Sequence, residues 1–120
     1  MPGVSKIVYK GKEIIFVDYR GCTDENDMIN LFREATRTIT GFGKDSLVLI
    51  NFEGGYQTPN YMKKAEQLAR KTQNYVKKRA IVGINNPARL ILLNESNRLL
   101  GEKKIRPFKN MKKAKEWLVM

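Results

Sequence analysis

Segments with strand-like hydrophobic runs alternate along this chain with segments of helical hydrophobic spacing, and this alternation predicts where strands and helices lie. Residues 5–9 and 13–19 are β-branched and aromatic runs joined by a turn-compatible link at residues 10–12, so they predict an antiparallel hairpin. Apolar residues then recur at three- and four-residue spacing, which predicts a helix from Asp24 to the glycines at 41 and 43.

The alternation of strands and helices continues through the second half. Residues 46–52 are a continuous apolar run, typical of a strand covered on both faces. Two further short runs predict strands at residues 80–84 and 104–108. Helical spacing separates these strands, from Thr58 to about Lys78, from Asn86-Pro87 to Gly101, and after Asn110.

A hairpin followed by alternating strands and helices predicts an α/β fold. We expect one mixed sheet of about five strands, largely parallel after the first strand, with about four helices packed against it. A chain of 120 residues with 42% hydrophobic residues is long enough to bury one core. Residues 1–120 are therefore predicted to form a single domain.

The residue types that most often carry catalysis or bind metals are scarce. The chain has no histidine and a single cysteine, Cys22, so it lacks the commonest general base and a zinc-binding cysteine pair. No nucleotide-loop or nucleophile-elbow motif is present. We predict that the protein is not an enzyme and uses neither cofactor nor metal. Without an apolar run long enough for a signal peptide or a membrane span, it is predicted to be cytoplasmic.

Positive charge is concentrated in the second half of the chain. The net charge is +11; residues 1–57 carry seven Lys/Arg against eight Asp/Glu, which leaves +12 for residues 58–120. Basic residues occupy most outer positions of the second predicted helix, which predicts a basic helix face made of Lys63, Lys64, Arg70, Lys71, Lys77 and Lys78. Such a face would attract nucleic acid, acidic phospholipid or an acidic protein surface.

Three loops are predicted to bring helix starts to one edge of the sheet, because the loops after parallel strands leave from the same side. The contact residues predicted in the first and third loops are Arg20, Gly21, Thr23, Asn85 and Asn86. Those predicted around the loop before the second helix are Glu53, Gly54, Gly55, Tyr56, Gln57 and Asn60. The acidic run at residues 24–27 is interpreted as a helix start and not as a metal site, because its spacing matches no calcium loop.

Thr58 has two candidate roles. Its hydroxyl suits the N-cap of the second helix and Pro59 suits the first helical position, so the pair predicts a capped turn. The same hydroxyl is a candidate phosphorylation site. Gly54-Gly55 would let a ligand phosphate approach the backbone, but two glycines also serve a turn that needs positive φ, and the lysine and hydroxyl of a nucleotide loop are missing.

Three stretches resemble the SpoIIAA-like branch of the STAS domains, the family named for sulphate transporters and anti-sigma factor antagonists. They are LVLINFEGGYQTPNYMKKAEQL, KRAIVGI and IRPFKNMKKAKEWL. In the family pattern a buried strand ends in an acidic-glycine loop and runs into a helix. A short strand follows, and a last strand leads to a helix ending in Ala-x-x-Trp-Leu, here Ala114, Trp117 and Leu118. The resemblance covers about residues 5–119.

The resemblance implies a non-catalytic regulatory module that binds another protein. Anti-sigma antagonists of this group use the edge containing the loop before the second helix, where a phosphorylated serine or threonine breaks the complex. Thr58 occupies the comparable place, although Gln57-Thr58-Pro59 stands where the family has an acidic-hydroxyl-glycine sequence. The implied function is therefore partner binding at this loop, switched by phosphorylation of Thr58.

Two other classes of protein remain as alternatives. A polyanion-binding protein would hold nucleic acid or acidic phospholipid on the basic helix face, and its affinity would fall steeply with salt. A hydrophobic-ligand carrier would need a cavity.

Overall fold

The chain begins with the predicted antiparallel hairpin, β1 (Gly3–Tyr9) and β2 (Lys12–Asp18). The computed structural model describes residues 3–54, 58–84, 87–98 and 105–120. Tyr9 pairs with Lys12, so the turn has only two residues. Both turn residues have positive φ, 50° at Lys10 and 79° at Gly11. This geometry matches the right-handed twist of the flanking strands and fixes their register.

After the hairpin, helices and strands alternate in the predicted order. They are α1 (Glu25–Phe42), β3 (Ser46–Asn51), α2 (Pro59–Thr72), β4 (Val76–Val82), α3 (Pro87–Asn97), β5 (Ile105–Phe108) and α4 (Met111–Val119). The strands stand in chain order in one sheet, with β1 and β2 antiparallel and every later pair parallel. The predicted α/β fold, with five strands in a mixed sheet and four helices in the described residues, is confirmed.

The helices form two unequal layers on the sheet. Since successive parallel strands step across the sheet in one direction, right-handed connections place α1, α2 and α3 on the same face. Their apolar residues pack with Ile15 and Val48 of the sheet, whereas α4 packs on the opposite face with Ile14 and Leu49. All residues of β3 are buried, which confirms the strand predicted to be covered on both faces.

The second helix is shorter than predicted. It ends at Thr72, a 3-10 turn follows at Gln73–Tyr75, and β4 begins at Val76, four residues before the strand predicted at 80–84. Val76 is 2% exposed and pairs with Ser46 of β3. No glycine or proline marks this break, and a lysine-rich run fits the outer face of a helix as well as the end of a strand. The hydrophobic pattern therefore predicted a helix that was too long.

The first helix ends one residue before Gly43. Gly41 lies within its last turn, so the prediction that both glycines end the helix is wrong for Gly41 and correct for Gly43, whose φ is 104°. The radius of gyration is 13.0 Å, close to the ~13.6 Å expected for one domain of this length. Within the described ranges, no helix is long and apolar enough to cross a membrane.

Candidate functional site

The loops after β2, β3 and β4 leave the sheet together. Asp18 pairs with Asn51, and Asn51 pairs with Val82, so these strands end level with each other. The first residue after each of the first two strands extends the ladder: Tyr19 N–H donates to the carbonyl of Asn51, and Phe52 N–H donates to that of Val82, both at 2.8 Å. We call the surface formed by residues 18–27, 51–54 and 58–60 the loop edge.

Gly83 lets two of these loops lie in contact. Its φ is +96°, and a Cβ added there would lie 2.5 Å from the backbone nitrogen of Glu53 and 2.9 Å from the carbonyl carbon of Phe52. Both neighbours are backbone atoms, which cannot rotate away. Sequence reasoning placed this residue inside a strand and gave it no role, although a glycine inside a strand pattern is a sign that another backbone approaches closely.

Thr58 is the N-cap of α2, as predicted, and its hydroxyl also ties α2 to α1. The Tyr61 N–H donates to Thr58 Oγ1 at 3.2 Å, while the Thr58 hydroxyl donates to Glu25 Oε1. Asn60 Nδ2 donates to the other oxygen of the same carboxylate at 3.1 Å. Glu25 lies in the first turn of α1, so one carboxylate joins the starts of two helices. The hydrogen bond from Thr58, followed by that from Asn60, holds the pKa of Glu25 below its usual range.

The acidic run before α1 is a helix start, as predicted. Asp24 is the N-cap and accepts from the Asp27 N–H at 2.8 Å. Asp27 in turn accepts from the Thr23 hydroxyl at 2.6 Å and from the Thr23 N–H at 3.1 Å. These bonds from Thr23 lower the pKa of Asp27. In the described residues, no group of three or more acidic or cysteine side chains is arranged to hold a metal ion.

Arg20 is paired with Asp18 and lies next to Glu53. Its Nε and Nη2 donate to the two Asp18 oxygens at 3.0 and 2.9 Å. Partial burial opposes ionisation of Asp18, but the bonds from Arg20 outweigh it and lower the pKa of that carboxyl. The pKa of the Arg20 guanidinium is raised first by its hydrogen bonds to Asp18 and further by the charge of Glu53. Arg20 is therefore already neutralised at the loop edge.

The loop edge is acidic, in contrast to the rest of this basic chain. Its carboxylates are Asp18, Asp24, Glu25, Asp27 and Glu53. Burial raises the pKa of the Cys22 thiol, and the charges of Asp27, Asp18 and Asp24 raise it further. Arg20 is the single cation in the described loop-edge ranges.

Several predicted contact residues can be placed, and others cannot. Glu53, Gly54 and Asn60 are exposed, as are Arg20, Gly21 and Thr23. Gly54 has a φ of +78°, the conformation for which a glycine was expected. The predicted contact residues Gly55, Tyr56, Gln57, Asn85 and Asn86 lie outside the described residues.

The predicted basic helix face is not one face. Lys63, Lys64, Arg70 and Lys71 lie on α2, but Lys77 and Lys78 lie on β4. The neighbours Ser46 and Leu47 of β3 pair with Val76 and Lys78 of β4. Lys77 lies between these two paired residues and forms a β-bulge. This bulge turns Lys78 toward α4, where its Nζ donates to the carbonyl oxygens of Trp117 and Met120 at 2.9 and 3.2 Å.

A second basic surface surrounds α4 and contains aromatic rings. We call it the α4 face; it comprises Tyr9, Lys10, Lys78, Arg106, Phe108, Lys112, Lys113, Lys115 and Trp117. Lys78 Nζ lies 5.0 Å and Arg106 Cζ 5.4 Å from the centre of the Trp117 ring, and Lys115 Nζ lies 5.7 Å from that of Tyr9. Sequence reasoning noted the positive charge of residues 58–120 as a whole but did not group the residues around α4 with the hairpin, which lies more than 90 residues earlier.

A cavity of about 80 Å³ lies between the sheet and helices α1 to α3. Most of its lining is apolar, and the buried side chain of Arg79 also contributes. Arg79 directly follows the basic residues predicted to face solvent, but it is buried because β4 starts early and turns this residue inward. An arginine followed by the apolar run AIVGI was the one signal in the sequence that a charge enters the core.

Comparisons with known proteins do not add to this geometry. No family model, no curated protein and no solved structure matches the chain. The resemblance to STAS domains therefore stays a prediction from the residues quoted above.

Proposed function

We propose that the protein is a non-catalytic, cytoplasmic regulatory module that binds another protein through the loop edge. The observation that carries the proposal is the Glu25 carboxylate, which accepts from Thr58 and Asn60 and so joins the starts of α1 and α2. A surface held in this way needs little reordering when a partner docks, which favours binding. The STAS-like resemblance implies partner binding at the same loop.

The charge of the loop edge defines the kind of partner. Five carboxylates against one arginine attract a protein surface rich in lysine and arginine, and the positive charge elsewhere on the chain repels that surface. The partner is thereby oriented toward the loop edge. The exposed side chain of Glu53, adjacent to the predicted contact loop, is the most direct position at which to test this complementarity.

Modification of Thr58 would act by breaking a contact within the protein. A phosphate adds about −1.5 to −2 charges, and the group nearest to the Thr58 hydroxyl is the Glu25 carboxylate. Arg20 is engaged with Asp18. Glu25 would therefore repel the phosphate, and the starts of α1 and α2 would separate. Phosphorylation would in this way disrupt the binding surface itself, and not only add charge to an unchanged surface.

Charge reversal at one exposed position tests the proposal. Wild type, Glu53→Lys and Glu34→Lys serve as baits in extract from the cells that produce the protein, at low and physiological salt. Glu34 is exposed on α1 outside the loop edge, so the two variants change net charge equally. We expect one discrete protein with wild type and Glu34→Lys that is lost with Glu53→Lys. Equal capture by both variants would refute the loop edge as the docking surface.

Polyanion binding at the α4 face is a second candidate function. It is favoured by the cations that flank Tyr9 and Trp117, because lysines beside aromatic rings are typical of surfaces that bind single-stranded nucleic acid. The test is fluorescence anisotropy with a labelled single-stranded oligonucleotide. The double variant Lys112→Glu/Lys113→Glu should weaken binding far more than Lys63→Glu/Lys64→Glu on α2. Equal weakening by the two double variants would mean that only net charge matters.

A further inference from the structure

The cavity between the sheet and the helices contains a charge that its protein neighbours only partly satisfy. Arg79 is 4% exposed, and its Nη2 donates to the Ala69 carbonyl at 3.2 Å and to Thr72 Oγ1 at 2.5 Å. A guanidinium carries five N–H donors. Burial lowers the pKa of Arg79 to about 10, so the group is still charged at neutral pH. In the described part of the chain, no carboxylate lies within salt-bridge distance of it.

The bonds to Ala69 and Thr72 give Arg79 a structural role at the end of α2. Both acceptors belong to the last turn of that helix, where a cation is favourable. This role explains the hydrogen bonds of one nitrogen, Nη2, and the position of the guanidinium. It does not explain why a charged side chain lines an apolar cavity, since burying a cation without a counter-charge is costly.

The rest of the cavity has the character of an apolar ligand site. Ile50 and Ile81 line it from the sheet, Phe32 from α1 and Leu93 from α3. Small side chains, Ala35 of α1 and Ala65 of α2, line it where larger ones would fill it. Glu66, half-exposed on α2, is a further charged residue of the lining. Among the described residues, no hydrogen bond or ion pair joins Glu66 to Arg79, so N–H donors of the guanidinium remain for another anion.

We propose that this cavity binds a short-chain carboxylic acid, with the carboxylate on the Arg79 guanidinium and the apolar chain between the sheet and α1 and α2. A carboxylate is the anion whose two oxygens match the fork of a guanidinium. The volume of about 80 Å³ is below the ~300–1,000 Å³ of sites for drug-sized ligands, which restricts the ligand to a small molecule. Tyr19 and Phe52 of the loop-edge ranges also line the cavity, but the inference does not rest on the proposed function.

The test measures binding of hexanoate to the full chain by calorimetry and by amide shifts in two-dimensional NMR, with hexanol as the uncharged match. We expect hexanoate to bind wild type at least tenfold more tightly than hexanol and to shift the amides of Ala69, Thr72 and Ile81. Arg79→Met, which keeps an unbranched side chain but removes the charge, should abolish the preference for the acid. Ala65→Leu, which fills the cavity and leaves Arg79 in place, should abolish binding of both molecules and raise Tm.

The two variants keep the test decisive even if one of them does not fold. Ala65→Leu changes neither the bonds of Arg79 nor the surface charge, so it separates binding in the cavity from binding to surface lysines. Binding of hexanoate that survives Ala65→Leu would place the acid on the surface and overturn the proposal. The absence of binding to wild type, across the series from butanoate to octanoate, would overturn it as well.

Discussion

Replacing Gly83 with alanine is the change that most directly tests how the loop edge is assembled. The glycine has a φ of +96°, and an added Cβ would lie 2.5 Å from the backbone nitrogen of Glu53. Two penalties therefore combine at one residue. The positive φ places a side chain in a disfavoured conformation, and the new methyl group pushes the loop after β3 away from β4.

The two penalties can be estimated separately. A non-glycine residue at positive φ costs about 1–2 kcal/mol, and forcing extra volume into a packed site costs about 1–3 kcal/mol. Together they predict that Gly83→Ala lowers the free energy of unfolding by about 2–5 kcal/mol, a large share of the ~5–15 kcal/mol typical of a domain. At roughly 4 °C per kcal/mol for a chain of this size, Tm should fall by about 8–20 °C.

Two other glycines provide matched controls for this estimate. At Gly54 the φ is +78°, and no heavy atom of the described residues lies within 4 Å of an added Cβ, so Gly54→Ala isolates the conformational penalty of about 1–2 kcal/mol. Gly41 lies in α1 with neither strain nor contact, so Gly41→Ala should stabilise by about 0.5–1 kcal/mol. Urea and thermal unfolding followed by circular dichroism give all three values. A cost at Gly83 no larger than that at Gly54 would show that the two loops are not in contact.

Three further predictions concern polar groups that join elements. Thr58→Val should lower the free energy of unfolding by about 1 kcal/mol through loss of the N-cap, whereas Thr58→Ser should be nearly neutral; equal urea midpoints for the two variants would contradict the cap. Asn97 donates to the Ile105 carbonyl at 2.8 Å and accepts from the Ile105 N–H at 3.0 Å. Asn97→Leu should lower the free energy of unfolding by about 2–3 kcal/mol, because it leaves both backbone groups unpaired. Unchanged stability in the same urea assay would disprove this pairing. The lowered pKa values of Glu25, Asp27 and Asp18 mean that the folded state binds protons less readily than the unfolded state. Stability measured by urea unfolding should therefore be fully present above about pH 4.5 and fall as the pH decreases through the folded-state pKa values, and a flat profile down to pH 3 would be inconsistent with these contacts.

The elements that were predicted correctly from sequence have a strong local signal. The hairpin follows from two β-branched runs around Lys10 and Gly11, whose positive φ values suit a two-residue turn. The β3 strand follows from an uninterrupted apolar run, and the N-cap of α2 from Thr58 followed by proline. In each case the residues that determine the structure are neighbours in the chain, so one window of sequence contains the whole cause.

The features that sequence reasoning missed depend on contacts between distant segments. The break between α2 and β4 is set by pairing of Val76 with Ser46, 30 residues earlier, and no turn residue announces it. The contact of Thr58 with Glu25 spans 33 residues, and it is the reason why we expect a phosphate on Thr58 to separate the two helix starts. Arg79 directly follows the lysines that were predicted to face solvent, and its inward direction depends on where the strand begins. These contacts became visible only in the folded chain.

Site-specific photo-crosslinking in cells is the most direct test of partner binding at the loop edge. A photoreactive amino acid is placed at Glu53 on the loop edge, at Glu34 on the outer side of α1, or at Lys113 on the α4 face, all exposed positions. We expect a discrete protein adduct from position 53 that is absent from position 34 and is lost when Thr58→Glu is added. Adducts of equal yield from positions 53 and 34, or an adduct formed only from position 113, would contradict binding at the loop edge.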